Sequence, residues 1–243
     1  MATLTVFTPL YNRINTLKRT YESLKRQTSK DFVWLIIDDG STDNPYEIIK
    51  EWIKINNGFE IRYVYKENGG MHTAHNTAYE NIDTELNVCV DSDDYMPDNA
   101  VQLIIDCWNK NKNKCYAGII ALDFADSTKK VIGKELPTDK ESTTLMGYYN
   151  NGGFGDKKLI YRTDIIKQTP PYPVFNNEKY VALAYKYHLI DEKYELKILN
   201  ECVCIVDYQM DGSSTNMYRQ YVRNPKGFAF WRKEQMKHSI NTK

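Results

Sequence analysis

Three carboxylates in four residues, Asp91-Ser92-Asp93-Asp94, stand directly after the apolar run Leu86 to Val90. Carboxylates this close repel one another, and a nearby cation relieves the repulsion. A hard divalent ion with oxygen ligands, Mg²⁺ or Mn²⁺, suits such a turn, because it keeps coordination positions for water and substrate phosphates. The competing use is an acidic turn that starts the helix after Pro97, with Asp94 or Asp98 at the helix start. An EF-hand loop is disfavoured, since Tyr95 and Met96 stand where an oxygen ligand and Gly belong.

A second acidic cluster, Asp38-Asp39-Gly40-Ser41-Thr42-Asp43, comes after the run Phe32 to Ile37 in the same way. A carboxylate there can accept hydrogen bonds from a base edge or a ribose hydroxyl, and Asp39 is the residue assigned to the ligand. Asp43 or Asn44 is assigned to cap the helix that begins near Pro45. Thr8-Pro9-Leu10-Tyr11-Asn12 ends the first apolar run with a Pro that fixes the chain direction and a ring that can meet a base. Asn68-Gly69-Gly70 permits close backbone approach, and His72, His75 and Asn76 come next on a helix. Two histidines three apart, without a convergent third partner, fit polar or ribose contacts better than metal ligation.

These motifs need a frame that brings them together. Short β-branched runs alternate with amphipathic stretches through the first hundred residues, the sign of βαβ units on a parallel sheet. The pattern predicts strands at Leu4 to Thr8, Phe32 to Ile37, Ile61 to Tyr65 and Leu86 to Val90. It predicts helices at Asn12 to Gln27, Pro45 to Ile55, Met71 to Ile82 and Pro97 to Asn109. Each motif then lies at the carboxyl end of a strand, where open parallel sheets bind ligands. Beyond Tyr116 the pattern loosens. Strands are expected at Tyr116 to Leu122 and Lys158 to Tyr161, a loop at Gly147 to Gly155, a helix at Glu178 to Ile190 and a strand pair around Tyr194 to Asp207. One domain is expected over residues 1–210, with a nucleotide-binding half (1–100) and a less regular half (101–210), then a tail at 211–243.

The 243 residues balance 32 basic against 32 acidic side chains, and 13% are aromatic. Disorder as the main state is disfavoured by that aromatic content, and a zero net charge gives no global field for nucleic acid. The longest apolar runs fall far short of the roughly 20 residues of a membrane span. The start of the chain lacks a signal-peptide pattern, and five cysteines without a CxxC pair fit reduced thiols, so a cytoplasmic location is expected. Charge is uneven, however. Residues 211–243 hold seven Lys or Arg against two acids, with Tyr218, Tyr221, Phe228, Phe230 and Trp231 interleaved. Such a tail could close over a phosphorylated ligand, lie on an anionic membrane at its inner face, or form a plain solvated helix.

Together, TPLYN (8–12), DDGSTD (38–43), ENGG with Ala74 and Asn76, and DSDD with MPD after it (91–98) resemble glycosyltransferase family 2. The match is specific over the first hundred residues and weaker over Gly155 to Asp211. The resemblance implies a GT-A fold, a Rossmann-like and mostly parallel α/β sheet flanked by helices with an acceptor-binding second half. It implies inverting transfer of a sugar from a nucleotide diphosphate donor, here a UDP-sugar, to a saccharide or lipid-linked acceptor in polysaccharide synthesis. Carried over residue by residue, Thr8, Pro9, Tyr11 and Asp39 would line the nucleoside pocket with Asn68, Gly70 and Asn76. Asp91 and Ser92 would meet the ribose side, and Asp93, with Asp91, would hold Mn²⁺ or Mg²⁺. The family's acidic pair at a helix start is altered here to Asn177-Glu178, which leaves Glu178 as general base and Asp156 in reserve. A helix N-terminal carboxylate is the structural alternative for Glu178. Arg219 and Arg223 are expected to add charge at the diphosphate.

Two rivals remain open at this level. A nucleotidyltransferase would also use a carboxylate-bound metal, but TPLYNR lacks a Gly-rich phosphate loop. A binding module without turnover would draw support from the altered Asn177-Glu178 pair.

Overall fold

The computed structural model describes residues 2–112, 115–209 and 217–238. Its strands are β1 (Leu4–Leu10), β2 (Phe32–Asp38), β3 (Glu60–Tyr65), β4 (Leu86–Cys89), β5 (Tyr116–Ala125), β6 (Ser142–Thr143), β7 (Lys157–Arg162) and β8 (Glu195–Val206). They form one sheet in the order β3-β2-β1-β4-β7-β5-β8-β6. The first four are parallel, as the βαβ alternation requires, with Leu4 opposite both Phe32 and Leu86. β7 runs antiparallel between β4 and β5, and β5 pairs parallel with β8. The sheet is thus mostly parallel and passes through both halves without a break.

Helices α1 (Ile14–Lys25), α2 (Tyr46–Lys54) and α4 (Ala100–Asn111) cover one face. Helices α3 (Met71–Asn81), α5 (Leu145–Asn150), α6 (Thr163–Gln168) and α7 (Ala184–Asp191) cover the other. The two faces arise from strand alternation: Val6, Trp34 and Ile36 point to the first layer, and Phe7, Leu35 and Ile37 to the second. In the first layer Tyr21 stacks on Trp52 at 4.1 Å, and both flank Trp34 at 5.9 Å. Deleting one such ring costs about 3–5 kcal/mol, so this cluster anchors the first hundred residues.

The second half departs from the sequence expectation in three places. Residues 147–150 belong to α5 instead of a loop, started by Thr144, whose hydroxyl accepts the Gly147 N–H. The helix expected from Glu178 begins at Ala184, and 178–183 form a strap held by outside partners. A single twelve-residue strand, β8, replaces the expected pair. Beyond it, α8 (Met217–Arg223) and α9 (Pro225–His238) close the described chain.

Candidate active site

The carboxyl ends of β1 and β2 are tied into one ledge. Asp39 N–H donates to the Leu10 carbonyl at 2.8 Å, and the Asn12 side-chain oxygen accepts the Thr42 N–H at 2.7 Å. Asn12 takes the left-handed conformation (φ 53°) that Asn tolerates, which turns the chain into α1. Asp43 accepts the Ile14 N–H at 3.1 Å and so serves α1, not the helix after Pro45 as the sequence suggested. Above this ledge Tyr11 is 49% exposed, an open ring beside the strand ends. Thr8 departs from its assignment as a ligand contact: its hydroxyl is buried and accepts the Trp34 indole N–H at 3.0 Å. Pro9 is buried beside it within β1.

Asp39 is also differently employed. Only 4% exposed, its carboxylate accepts Gly69 N–H at 2.9 Å, Gly70 N–H at 2.8 Å, the Asn68 amide at 3.0 Å and the Lys66 ammonium. Those four donors fill its lone pairs, so it anchors the Asn-Gly-Gly turn. Gly70 is needed there because its φ is 93° and a Cβ would stand 2.1 Å from the Lys179 carbonyl. Asn68 accepts the Lys179 ammonium, and Asn76 exchanges two hydrogen bonds with the Tyr172 backbone at 2.9 Å each. The trio expected at the nucleotide therefore joins the two halves of the molecule.

His72 and His75 lie on α3 between the β2 and β4 ends. Burial pushes the His72 imidazole down to about 4 and that of His75 to about 3, so both are neutral. His75 bonds Tyr79 through Nδ1 at 3.2 Å and meets the Cys89 thiol with Nε2 at 3.7 Å.

The DSDD turn after β4 divides its carboxylates. Asp94 is buried; it accepts the Asp207 N–H at 3.1 Å, and its own carbonyl takes the Thr20 hydroxyl at 2.7 Å. Burial pushes its carboxyl up to about 7. Asp94 thus pins the end of β8, and Ser92 is buried with it. Asp91 and Asp93 stay half-exposed. Burial and the neighbouring Asp91 charge raise the Asp93 carboxyl despite the pull of Arg13. The helix-start alternative does not hold here, since Gln27 accepts the Val101 N–H at the head of α4. Arg19, which no sequence pattern marks, donates to the Asp93 carbonyl and pairs with Asp207 at 2.7 Å.

Among the described residues no three His, Cys, Asp or Glu side chains converge to hold an ion by themselves. Asp91 and Asp93 nonetheless supply two hard oxygen donors, the set that a Mg²⁺ or Mn²⁺ sharing its shell with phosphate and water uses. The residues present fit such an ion.

Of the two base candidates, Glu178 is 8% exposed, and both its oxygens accept backbone N–H groups, from Lys226 at 3.0 Å and Gly227 at 2.8 Å. It caps α9, a helix-dipole role at a different helix from the one expected. Asp156 is exposed and accepts the Tyr208 hydroxyl at 2.6 Å, one residue beyond the Asp207 that Asp94 holds. Lys157 fixes this corner, its buried ammonium reaching the Ile132 carbonyl at 2.8 Å and that of Asp156 at 3.0 Å. Beneath it Lys158 stands 3.6 Å from buried Asp123, whose carboxyl burial raises to about 6. Desolvation opposes the Lys158 charge, but Asp123, Cys204, Asp94 and Asp91 outweigh it and keep the ammonium protonated. A groove of about 650 Å³ between Val131, Leu136, Tyr148 and Asn151 borders the segment that carries Asp156. A second hollow, of about 520 Å³, lies around Glu85 and Arg162 at the amino-terminal end of β4, the opposite end of the sheet from these strand ends. Arg219 and Arg223 lie on the exposed surface of α8.

Acidic turns on either side of the point where strand order reverses, on an open mostly parallel sheet, define a nucleotide-binding transferase fold of the GT-A kind. The chain belongs to glycosyl transferase family 2, whose family model matches residues 5–169. It is 33% identical over 178 residues to an uncharacterized glycosyltransferase of Rickettsia bellii (strain RML369-C), covering 69% of this chain and 25% of that protein. Glycosyltransferase GlyA of Streptococcus pneumoniae serotype 4 is 35% identical over 101 residues, 42% of this chain and 14% of its own. Chondroitin synthase of Pasteurella multocida (strain Pm70) is 34% identical over 109 residues, 45% and 11% respectively. The chain spans a quarter or less of the length of these relatives. Among solved structures, S. aureus TarS 1-349 in complex with UDP-GlcNAc matches with a TM-score of 0.67 at 18% identity, over 88% of this chain and 60% of that one. The mannosyltransferase PcManGT from Pyrobaculum calidifontis, in complex with GDP-Man and Mn²⁺, matches at 0.61 and 17%, over 95% and 64%. At these identities the likeness is one of fold.

Proposed function

We propose that this chain transfers a glycosyl group, with inversion, from a UDP-sugar to a saccharide or lipid-linked saccharide acceptor in cell-surface polysaccharide synthesis. The observation that carries the reading is the pair of carboxylates, Asp91 and Asp93, half-exposed at the sheet's switch point, with the open Tyr11 ring across the crevice. The complexes of TarS with UDP-GlcNAc and of PcManGT with GDP-Man and Mn²⁺ support a nucleotide-sugar donor and a divalent ion. Tyr11 stacks on the base, Asp91 meets the ribose side, and Asp91 with Asp93 would hold the ion. When bound, Mn²⁺ or Mg²⁺ offsets charge on the departing diphosphate.

The general base on this reading is Asp156. It is the exposed carboxylate of the two candidates, the Tyr208 hydroxyl holds its side chain, and the Lys157 ammonium holds its backbone carbonyl. It takes the proton of the acceptor hydroxyl as that oxygen attacks the anomeric carbon opposite the leaving diphosphate. The five unpaired cysteines support a cytoplasmic setting.

Calorimetric titration with UDP, with and without Mn²⁺, tests the donor site. Binding is expected to need the metal and to vanish in Asp93→Ala; UDP binding that ignores both would sink the assignment. For the base, Asp156→Asn is expected to lower kcat by about 10²–10⁴-fold with UDP affinity unchanged. Retained turnover in that variant would return the role to another residue.

A further inference from the structure

The last two helices carry a charge imbalance that the rest of the chain reverses. Residues 217–238 hold six Lys or Arg and one acid, Glu234, in a protein with no net charge. Glu234 is buried and takes the Lys237 ammonium at 2.6 Å. The helical period puts Lys226, Ala229, Arg232, Lys233, Met236 and Lys237 on one face of α9, and all six are exposed. The opposite face is spent on packing: Phe228 stacks on Tyr180 at 4.5 Å, Phe230 meets Tyr185 at 4.9 Å and Trp231 meets His188 at 4.8 Å. Three of the tail's aromatic rings are therefore not available to a surface, contrary to the simplest reading of the sequence. Different apolar groups face solvent: Tyr218 is 81% exposed, Met236 77% and Val222 65%.

We propose that α8 and α9 form a docking face for an anionic lipid bilayer, with the basic side chains on the headgroups and Tyr218, Val222 and Met236 entering the interface. A cluster of four to eight basic residues on an amphipathic helix is the chemistry that anionic lipid attracts. Exposed apolar side chains among them gain free energy only where hydrocarbon is at hand, which favours a bilayer over a soluble polyanion. Since the remainder of the chain carries the balancing acidic excess, the field turns this face toward an anionic plane and the rest away from it.

The docking face is rigidly keyed to the crevice. Glu178 caps α9, the Asn224 side chain accepts the Lys179 N–H at 2.7 Å, and Gly227 leaves no room for a Cβ against the Tyr180 carbonyl. The same strap presses on Gly70 and bonds Asn68 in the donor half. A bilayer that holds α9 thereby fixes the direction the crevice faces. The use of that orientation, to meet lipid-borne acceptors, rests on the proposed function; the docking itself does not.

Co-sedimentation with phosphatidylcholine vesicles, neutral or with about a third phosphatidylglycerol, tests the proposal. Binding to the anionic vesicles is expected to be at least about tenfold tighter and to weaken with salt. The triple variant Lys226→Gln, Arg232→Gln, Lys233→Gln should lose about 100-fold in vesicle affinity, at roughly fivefold per basic residue. Val222→Ser with Met236→Ser should lose about tenfold on vesicles and nothing on soluble polyphosphate. Unchanged thermal midpoints and UDP affinity in both variants separate this result from misfolding and from the donor assignment. Equal binding to both vesicles, or retained binding in the triple variant, overturns the proposal. So does polyphosphate binding that displaces the vesicles, which would assign the face to a soluble polyanion, and so does a dimer that the triple variant dissolves, which would assign it to a second copy.

Discussion

Two acidic turns end two strands of the same sheet, and their sequences look interchangeable, yet the structure uses them in opposite ways. In DDGSTD, Asp38 accepts the Ser41 N–H at 2.8 Å and the Tyr63 hydroxyl at 2.6 Å, and Asp39 is filled by four donors from the Asn-Gly-Gly turn and Lys66. In DSDD, Asp94 is buried and accepts the Asp207 N–H, whereas Asp91, which takes the weak Cys89 thiol donor at 3.5 Å, and Asp93 stay half-exposed. A carboxylate at a strand end is left available to a ligand when the fold withholds donors from it, and is a structural pin when the fold supplies them. The difference lies in the chain packed against each turn: a Gly-Gly turn with two bare N–H groups in one case, Tyr95 pairing with Ile205 in the other.

Like substitutions in the two turns should therefore have unlike phenotypes. Asp93→Ala should cost about 10²–10³-fold in turnover, and its urea midpoint should stay where it is. A stability loss with intact turnover would erase the contrast. Asp39→Ala is expected to lower unfolding free energy by about 3–5 kcal/mol, because it takes the counter-charge from Lys66 and the acceptor from the part-buried Gly69 and Gly70 N–H groups; chemical denaturation measures it. Loss of UDP affinity alone, with full stability, would return Asp39 to the ligand. His72 and His75, between the two turns, sharpen the contrast through pH. Their folded pKa values lie below the unfolded 6.5, so their contribution is complete above pH 6.5 and is lost as pH falls toward 4 and 3. Between pH 6.5 and 5 each should cost about 2 kcal/mol, and His72→Phe should flatten its share of the slope. The smallest effect is expected for Glu178→Gln, about 1–2 kcal/mol of stability with little change in kcat. A large kcat loss there would restore Glu178 as the base.

How far the sequence can be read depends on which forces act locally. The four parallel strands and their helices are legible because β-branched runs and 3.6-residue periods are set within each segment. The DSDD turn is legible as chemistry because three adjacent carboxylates at a strand end need a counter-charge from somewhere. Thr8 misleads because β1 is buried on both faces, so alternation carries no sign of which side meets the ligand. Glu178 and the strap around it mislead because their partners, Asn224, Gly227 and Gly70, lie 40 or more residues away in each direction. Arg19 and Tyr208 escape for the same reason: each acquires meaning only when β8 ends beside the DSDD turn.

The antiparallel strand β7 between β4 and β5 has a consequence in time. β4 ends at Cys89, and the strand that covers its free edge ends at Arg162. A ribosome working at 5–20 residues per second needs roughly 4–15 s to make that interval. Throughout it the newborn first half of the sheet shows an unpaired, apolar strand edge, the shape to which other nascent chains add themselves. The step most exposed to aggregation is therefore the wait for β7, and a molecule truncated before Lys157 carries that hazard permanently.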